Sequence, residues 1–168
     1  SCARSRVRSH TATYAASTSG ANRWRPPQGV VAWEGVRDCT EFGPACPQAP
    51  YAKDSPYYRE AEPQSEDCLS LNIWSAAKDA NERRPVMVWM HGGGFTGGSG
   101  HDLLSYDGEN LARPGDVVVV THNHRLNAFG YLNLAELGGE RYAASANVGL
   151  LDLVALLQWV RDNIAAFG

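Results

Sequence analysis

No unbroken aliphatic or aromatic run in this 168-residue sequence is longer than Val86–Met90, far short of the ~18 apolar residues that a membrane-spanning helix needs. Charge of one sign is equally scarce. Fifteen Lys+Arg stand against 18 Asp+Glu, a net −3, and no Lys/Arg stripe marks out a nucleic-acid surface. Internal repeats and low-complexity tracts are missing too, which excludes solenoids and linker-like segments. What remains is 43% apolar and 20% charged residues, the composition of a globular domain and too apolar for disorder.

The chain opens on Ser1 rather than Met, so it reads as a piece of a longer product. Ser1–Thr13 carries Arg4, Arg6 and Arg8 without an apolar core, unlike a secretory signal. The first third is punctuated by Pro26-Pro27, Gly43-Pro44, Pro47, Pro50, Pro56 and Pro63, which disfavours helix there. From Leu69 the texture changes. Leu71–Trp74 is a short strand candidate. Pro85–Met90 and Val117–Thr121 are continuous apolar runs, the signature of strands covered on both faces. A short helix is expected within Tyr106–Arg113. A longer one is expected over about Val148–Ala166, capped by Asn147 and carrying a stripe of Leu150, Leu153, Val154, Leu157, Val160 and Ile164. Leu151 and Trp159 widen the stripe, so that helix should be buried on most sides. Buried strands alternating with helices imply an α/β fold with a mostly parallel sheet and crossover helices.

The sharpest chemical feature is His91-Gly92-Gly93-Gly94-Phe95, directly after the buried strand candidate. Three glycines without Cβ atoms let a backbone turn tightly and aim N–H groups at an incoming atom. Such donors stabilise a developing oxyanion, one of them being worth ~10²–10³ in rate. A bare triple glycine is more often a flexible turn; its place after the strand is what points to an oxyanion loop.

Pro85–Phe95 (PVMVWMHGGGF) resembles the oxyanion-hole strand and loop of type-B carboxylesterases, the α/β-hydrolase family that includes the cholinesterases. Glu66–Trp74 (EDCLSLNIW) is similar to the family's second signature. Arg23–Pro27, Trp33–Gly35, Phe42–Gln48, Tyr106–Gly108, Asn123–Leu126 and Asn147–Asp152 follow in family order. The resemblance covers residues 14–168 and leaves 1–13 as an unmatched leader. It implies the N-terminal part of an α/β-hydrolase catalytic domain acting on a small-molecule ester, with no cofactor and no metal. Gly93 and Gly94 would supply oxyanion N–H groups, while Gly92 and His91 would shape the loop. No G-x-S-x-G elbow occurs in the sequence; Gly97-Gly98-Ser99-Gly100 comes nearest and lacks the final glycine. Nucleophile, acid and histidine are therefore expected beyond Gly168, and the chain alone should be inactive.

Four cysteines, Cys2, Cys39, Cys46 and Cys68, allow three pairings. The resemblance selects a Cys46–Cys68 disulfide, worth ~3 kcal/mol in the chain-entropy model, and with it an extracellular or periplasmic setting; reduced thiols would suit the cytoplasm. It also implies two structural ion pairs, Arg23 with Glu66 and Arg125 with Asp152. Departures from the family pattern are Ser70 for an aromatic, Asn127 for a frequent glycine and His124 for a tyrosine. His122 and His124 would share one face of a strand, a usable metal-ligand arrangement, but no third ligand stands at fixed spacing and packing is the better reading. Two other functions compete with ester hydrolysis. One is a non-catalytic, esterase-like protein-binding module. The other is a metal hydrolase built on the His122/His124 pair.

Overall fold

The structure, a computed structural model, describes residues 8–55, 58, 60 and 62–168. Cys2, Arg4 and Arg6 lie outside them. Four strands form one mixed sheet in the order β1-β2-β4-β3: β1 (Arg8–Thr13), β2 (Ser70–Ser75), β3 (Val86–Trp89) and β4 (Val118–His122). The pairs β1/β2 and β2/β4 run antiparallel, and β3/β4 runs parallel. Short helices α1 (Glu109–Ala112), α2 (Asn127–Tyr131) and α3 (Ala135–Gly138) lead to α4 (Val148–Asn163), which closes in a 3₁₀ turn over Ile164–Phe167. The β3-to-β4 connection carries α1, as a parallel pair requires.

β4 explains the sheet's position. Val118, Val120 and His122 have no solvent exposure and Val119 only 2%, so the strand is covered on both faces. Its pleat divides it between two cores. Val118 and Val120 join Leu71, Ile73, Leu126, Leu156 and Val160 on the α4 side, whereas Val119 joins Trp74 and Ala112 on the α1 side. A polar chain sets the register across three strands: the Thr11 hydroxyl donates to Asn72 Oδ1 at 2.9 Å, and Asn72 Nδ2 donates to Thr121 Oγ1 at 3.1 Å. A one-residue slip would orphan both partners.

Three expectations are corrected here. β3 is not covered on both faces: Val86, Met87 and Trp89 are each 40–43% exposed, and among the described strands it lies at the edge of the sheet, beside β4. Helix α4 buries Val148, Gly149, Asp152, Leu156 and Val160, while Leu150, Val154 and Leu157 face outward. The apolar count along this helix exceeds what one sheet face can cover, and close approach at Gly149 selects the contact line. A Cβ on Gly149 would lie 2.7 Å from the Arg125 carbonyl oxygen. Asn147 begins the helix without a side-chain capping bond.

A hydropathy window shows what counting unbroken runs passes over. Residues 140–167 form a helical stretch containing an 18-residue window whose mean hydropathy of 1.5 would suit a membrane crossing by length and composition. In the fold that stretch packs on the sheet and carries the buried Asp152, which is how a core helix behaves.

Candidate active site

The glycine loop leaves β3 at its C-terminal end, the edge at which α/β sheets place their ligands. Gly93, Gly94 and Phe95 adopt φ of 119°, 60° and 63°. Gly93 has no alternative residue. A Cβ there would run into the Gly97 carbonyl, with the carbonyl carbon at 2.7 Å. Thr96 closes the turn by donating both its N–H, at 3.1 Å, and its hydroxyl, at 3.0 Å, to the Gly93 carbonyl. Among the described residues nothing accepts from the N–H groups of Gly93 or Gly94, and both glycines are exposed. A cavity of about 150 Å³ beside them is lined by His91, Gly92, Gly94, Phe95, His124 and Leu126. A larger cavity of about 700 Å³, bordered by Trp33, Arg37 and Trp159, shares no residue with this loop.

Two amides tie the loop down, and sequence reading assigned neither a role. Gln48 clamps Gly98 from both sides, its Nε2 donating to the Gly98 carbonyl at 2.9 Å and its Oε1 accepting from the Gly98 N–H at 2.6 Å. Asn123 takes the Gly100 N–H on Oδ1 at 2.7 Å and donates from Nδ2 to Pro44 at 2.9 Å. Both sit inside recognised motif blocks, so their presence was legible but their partners, 50 and 23 residues away, were not. Ser99 is buried, and its hydroxyl donates to Glu62 at 2.8 Å. At 1% exposure its hydroxyl is out of reach of a substrate carbonyl, so Ser99 is not a nucleophile candidate.

Beneath the loop lie three imidazoles. The ring of His91 stands 4.8 Å from that of His124 and 6.2 Å from that of His122, and the latter two are 5.4 Å apart. All three are buried. Burial disfavours the imidazolium and the neighbouring rings add to it, holding His122 down to about 4 and His124 to about 3. His91 is lowered as well, mainly by burial. At neutral pH the trio is uncharged. The nitrogens are not gathered into a metal-binding set, nor is any group of three His, Cys, Asp or Glu among the described residues.

The ion-pair residues meet as follows. Arg125 and Asp152 are 2% and 0% exposed, and their side chains form a bidentate pair with contacts of 2.9 and 2.6 Å; the Arg125 N–H also donates to Asp152 Oδ2 at 3.0 Å. Burial pushes the Asp152 carboxyl up while Arg125 pulls it down. The remaining guanidinium donor reaches the Arg25 carbonyl at 2.8 Å. The pair therefore joins the end of the sheet to α4 and to the N-terminal loops. Arg23 and Glu66 form a second bidentate pair, with contacts of 2.5 and 2.6 Å, partly in solvent.

The expected Cys46–Cys68 disulfide is not formed. Both are buried free thiols, and Cys39 is a third. Each shifts the other's titration, Cys46 downward and Cys68 upward, with burial reinforcing the rise of Cys68. The Leu126 N–H donates to Cys46 Sγ at 3.2 Å. That geometry satisfies the sulfur as a thiol or thiolate without a covalent bridge.

The carboxylesterase family profile matches residues 10–168. The chain belongs to the carboxylesterase family. It is 47% identical over 155 residues to the para-nitrobenzyl esterase of Bacillus subtilis, and 44% identical over 161 residues to the acetylcholinesterase of Gallus gallus, in each case across 92% of this chain. A carboxylesterase structure from Geobacillus stearothermophilus superimposes with a TM-score of 0.85 at 47% identity, and an esterase from Clostridium hathewayi with 0.87 at 48%, each over 96% of this chain. The chain spans 30% and 20% of the lengths of those two sequence relatives and 32% of each of those two structures. The fold is accordingly the N-terminal part of an α/β-hydrolase.

Proposed function

We propose that this chain supplies the oxyanion-hole loop of a carboxylic ester hydrolase acting through a serine acyl-enzyme. When a serine oxygen adds to the ester carbonyl, the carbonyl π electrons move to its oxygen. That oxyanion accepts from the N–H groups of Gly93 and Gly94, donors on exposed residues and engaged by nothing else among the described residues. This observation carries the reading. Preorganised donors need no reorganisation as charge develops, which is why such holes act on kcat more than on binding. Gly92 and His91 shape the loop, and the adjacent 150 Å³ cavity suits the small groups around a scissile ester.

A module that only bound protein would have no use for such donors, so the loop favours hydrolysis over the binding reading. Several of the relatives carry esterase names, which supports the reaction class but not a substrate. Nucleophile, acid and base come from outside these 168 residues, and the chain by itself is inactive. The intact protein should hydrolyse p-nitrophenyl acetate and be labelled by a fluorophosphonate, whereas this chain alone should do neither. Labelling of any serine between Ser1 and Gly168 would overturn the assignment.

A further inference from the structure

His124 has a job that packing alone does not describe. Its ring lies 4.8 Å from that of His91 with a 32° tilt, in the closest contact of the buried trio. His91 is enclosed from the other side by the returning loop, where a Cβ on Gly98 would lie 2.7 Å from His91 Nδ1. The imidazole is thus held between two surfaces, and its Nδ1 sits 2.8 Å from the Gly92 carbonyl oxygen. A carbonyl oxygen only accepts, so Nδ1 carries the proton and the buried, unpartnered Nε2 is bare.

The peptide bond carries the effect one atom further. The Gly92 carbonyl and the Gly93 N–H belong to one rigid plane and point in opposite directions. Fixing the carbonyl fixes the N–H. We propose that His124 is a positioning residue for the oxyanion hole: it holds the plane of His91, whose Nδ1–H fixes the Gly92 carbonyl and so aims the Gly93 N–H. The flanking glycines have no side chain of their own to restrain that peptide, and Gly92 and Gly94 meet nothing within 4 Å at the Cβ position. Thr96 holds the Gly93 carbonyl on the far side of that residue, and the imidazole below is the side chain that bonds the Gly92 carbonyl itself. The inference rests on the esterase reading for its catalytic consequence, but not for its geometry.

Four versions of the intact protein test it: wild type, His124→Ala, His124→Phe and His91→Ala. Active sites are counted by fluorophosphonate titration, so rates refer to folded enzyme only. His124→Ala should lower kcat/KM about tenfold or more, through kcat, with KM changing less than about twofold. The affinity of a trifluoromethyl ketone, which mimics the tetrahedral intermediate, should fall by the same factor. His124→Phe keeps a flat ring against His91 and should recover most of the loss, while His91→Ala should match or exceed it. In parallel, ¹⁵N shifts of His91 should report one Nδ1–H tautomer in wild type and a tautomer mixture in His124→Ala. Unchanged kcat/KM and inhibitor affinity in His124→Ala would overturn the proposal, as would an unchanged His91 tautomer. An intact protein without esterase activity would remove the catalytic reading, yet the tautomer comparison would still decide the positioning contact.

Discussion

The N–H of Asn127 donates to the carbonyl of Phe95 at 2.7 Å, and its side-chain amide donates to Pro47 at 2.8 Å. One residue thereby joins the exit of the glycine loop, the start of α2 and the block that contains Cys46. Its φ is +45°, a conformation that glycine adopts freely and asparagine better than other side chains. The glycine expected here from the family pattern is thus replaced by the residue best able to keep the turn, and the Asn127 amide adds a tether that glycine lacks.

The two ends of the glycine run should differ in tolerance. Gly93→Ala forces a Cβ toward the Gly97 carbonyl at a φ of 119°, whereas Gly94→Ala meets open space at a φ of 60°. In the intact enzyme Gly93→Ala is expected to lose about 10²–10³ in kcat with KM little changed. Gly94→Ala should carry mainly the ~1–2 kcal/mol cost of a left-handed backbone. Steady-state kinetics with active-site titration separates the two outcomes; equal losses would show that the Gly97 contact does not matter.

The two ion pairs should behave unequally in unfolding. Asp152→Ala leaves the Arg125 guanidinium uncompensated inside the protein, a change worth roughly 3–5 kcal/mol. Double replacement, Arg125→Met with Asp152→Leu, should restore much of that stability. Arg23→Ala, at a pair partly in solvent, should cost far less than Asp152→Ala, because water screens the exposed pair. Urea denaturation of the intact protein and its variants reads all three values.

Acid should weaken the fold through the imidazole trio. His122 and His124 titrate at about 4 and about 3 in the folded state against ~6.5 when unfolded. Between those limits the unfolded chain binds more protons, so stability falls as pH drops from about 6.5 toward 4. Above 6.5 the contribution is fully present. The double variant His122→Leu, His124→Tyr should flatten the dependence of the urea midpoint between pH 6.5 and 4, and an unchanged slope would remove the trio as its cause.

The thiols offer a direct chemical reading. Cys46 and Cys68 are 1% and 0% exposed, while Cys39 is partly open. A maleimide applied to the native protein should modify Cys39 and spare the buried pair. In urea without reductant, both Cys46 and Cys68 should label. Failure to label until a reductant is added would mean that the protein as made carries the bridge.

Sequence reached β2, β3, β4 and the loop because their information is local, but not β1 (Arg8–Thr13), whose polar residues carry no strand signature and which is defined by its pairing with β2. Val118–His122 is nearly all β-branched, and three glycines following a strand leave few conformations to choose from. It placed Arg125 and Asp152 among the site residues only through family resemblance, since nothing within either segment reveals a partner 27 residues away. It misjudged α4 because apolar residues ring most of that helix, and the buried side is decided by Gly149 against the Arg125 carbonyl. His91 was visible as part of a motif and His122/His124 as a pair. That they form one cluster depends on the parallel pairing of β3 with β4, a long-range fact.

The open edge of β3 has a meaning for how the molecule associates. Val86, Met87 and Trp89 present partly exposed apolar side chains beside unpaired strand hydrogen-bonding groups. A sheet edge of that kind accepts whichever extended segment arrives first. Until that edge is paired or covered, these side chains and strand groups leave it open to association with any other extended segment.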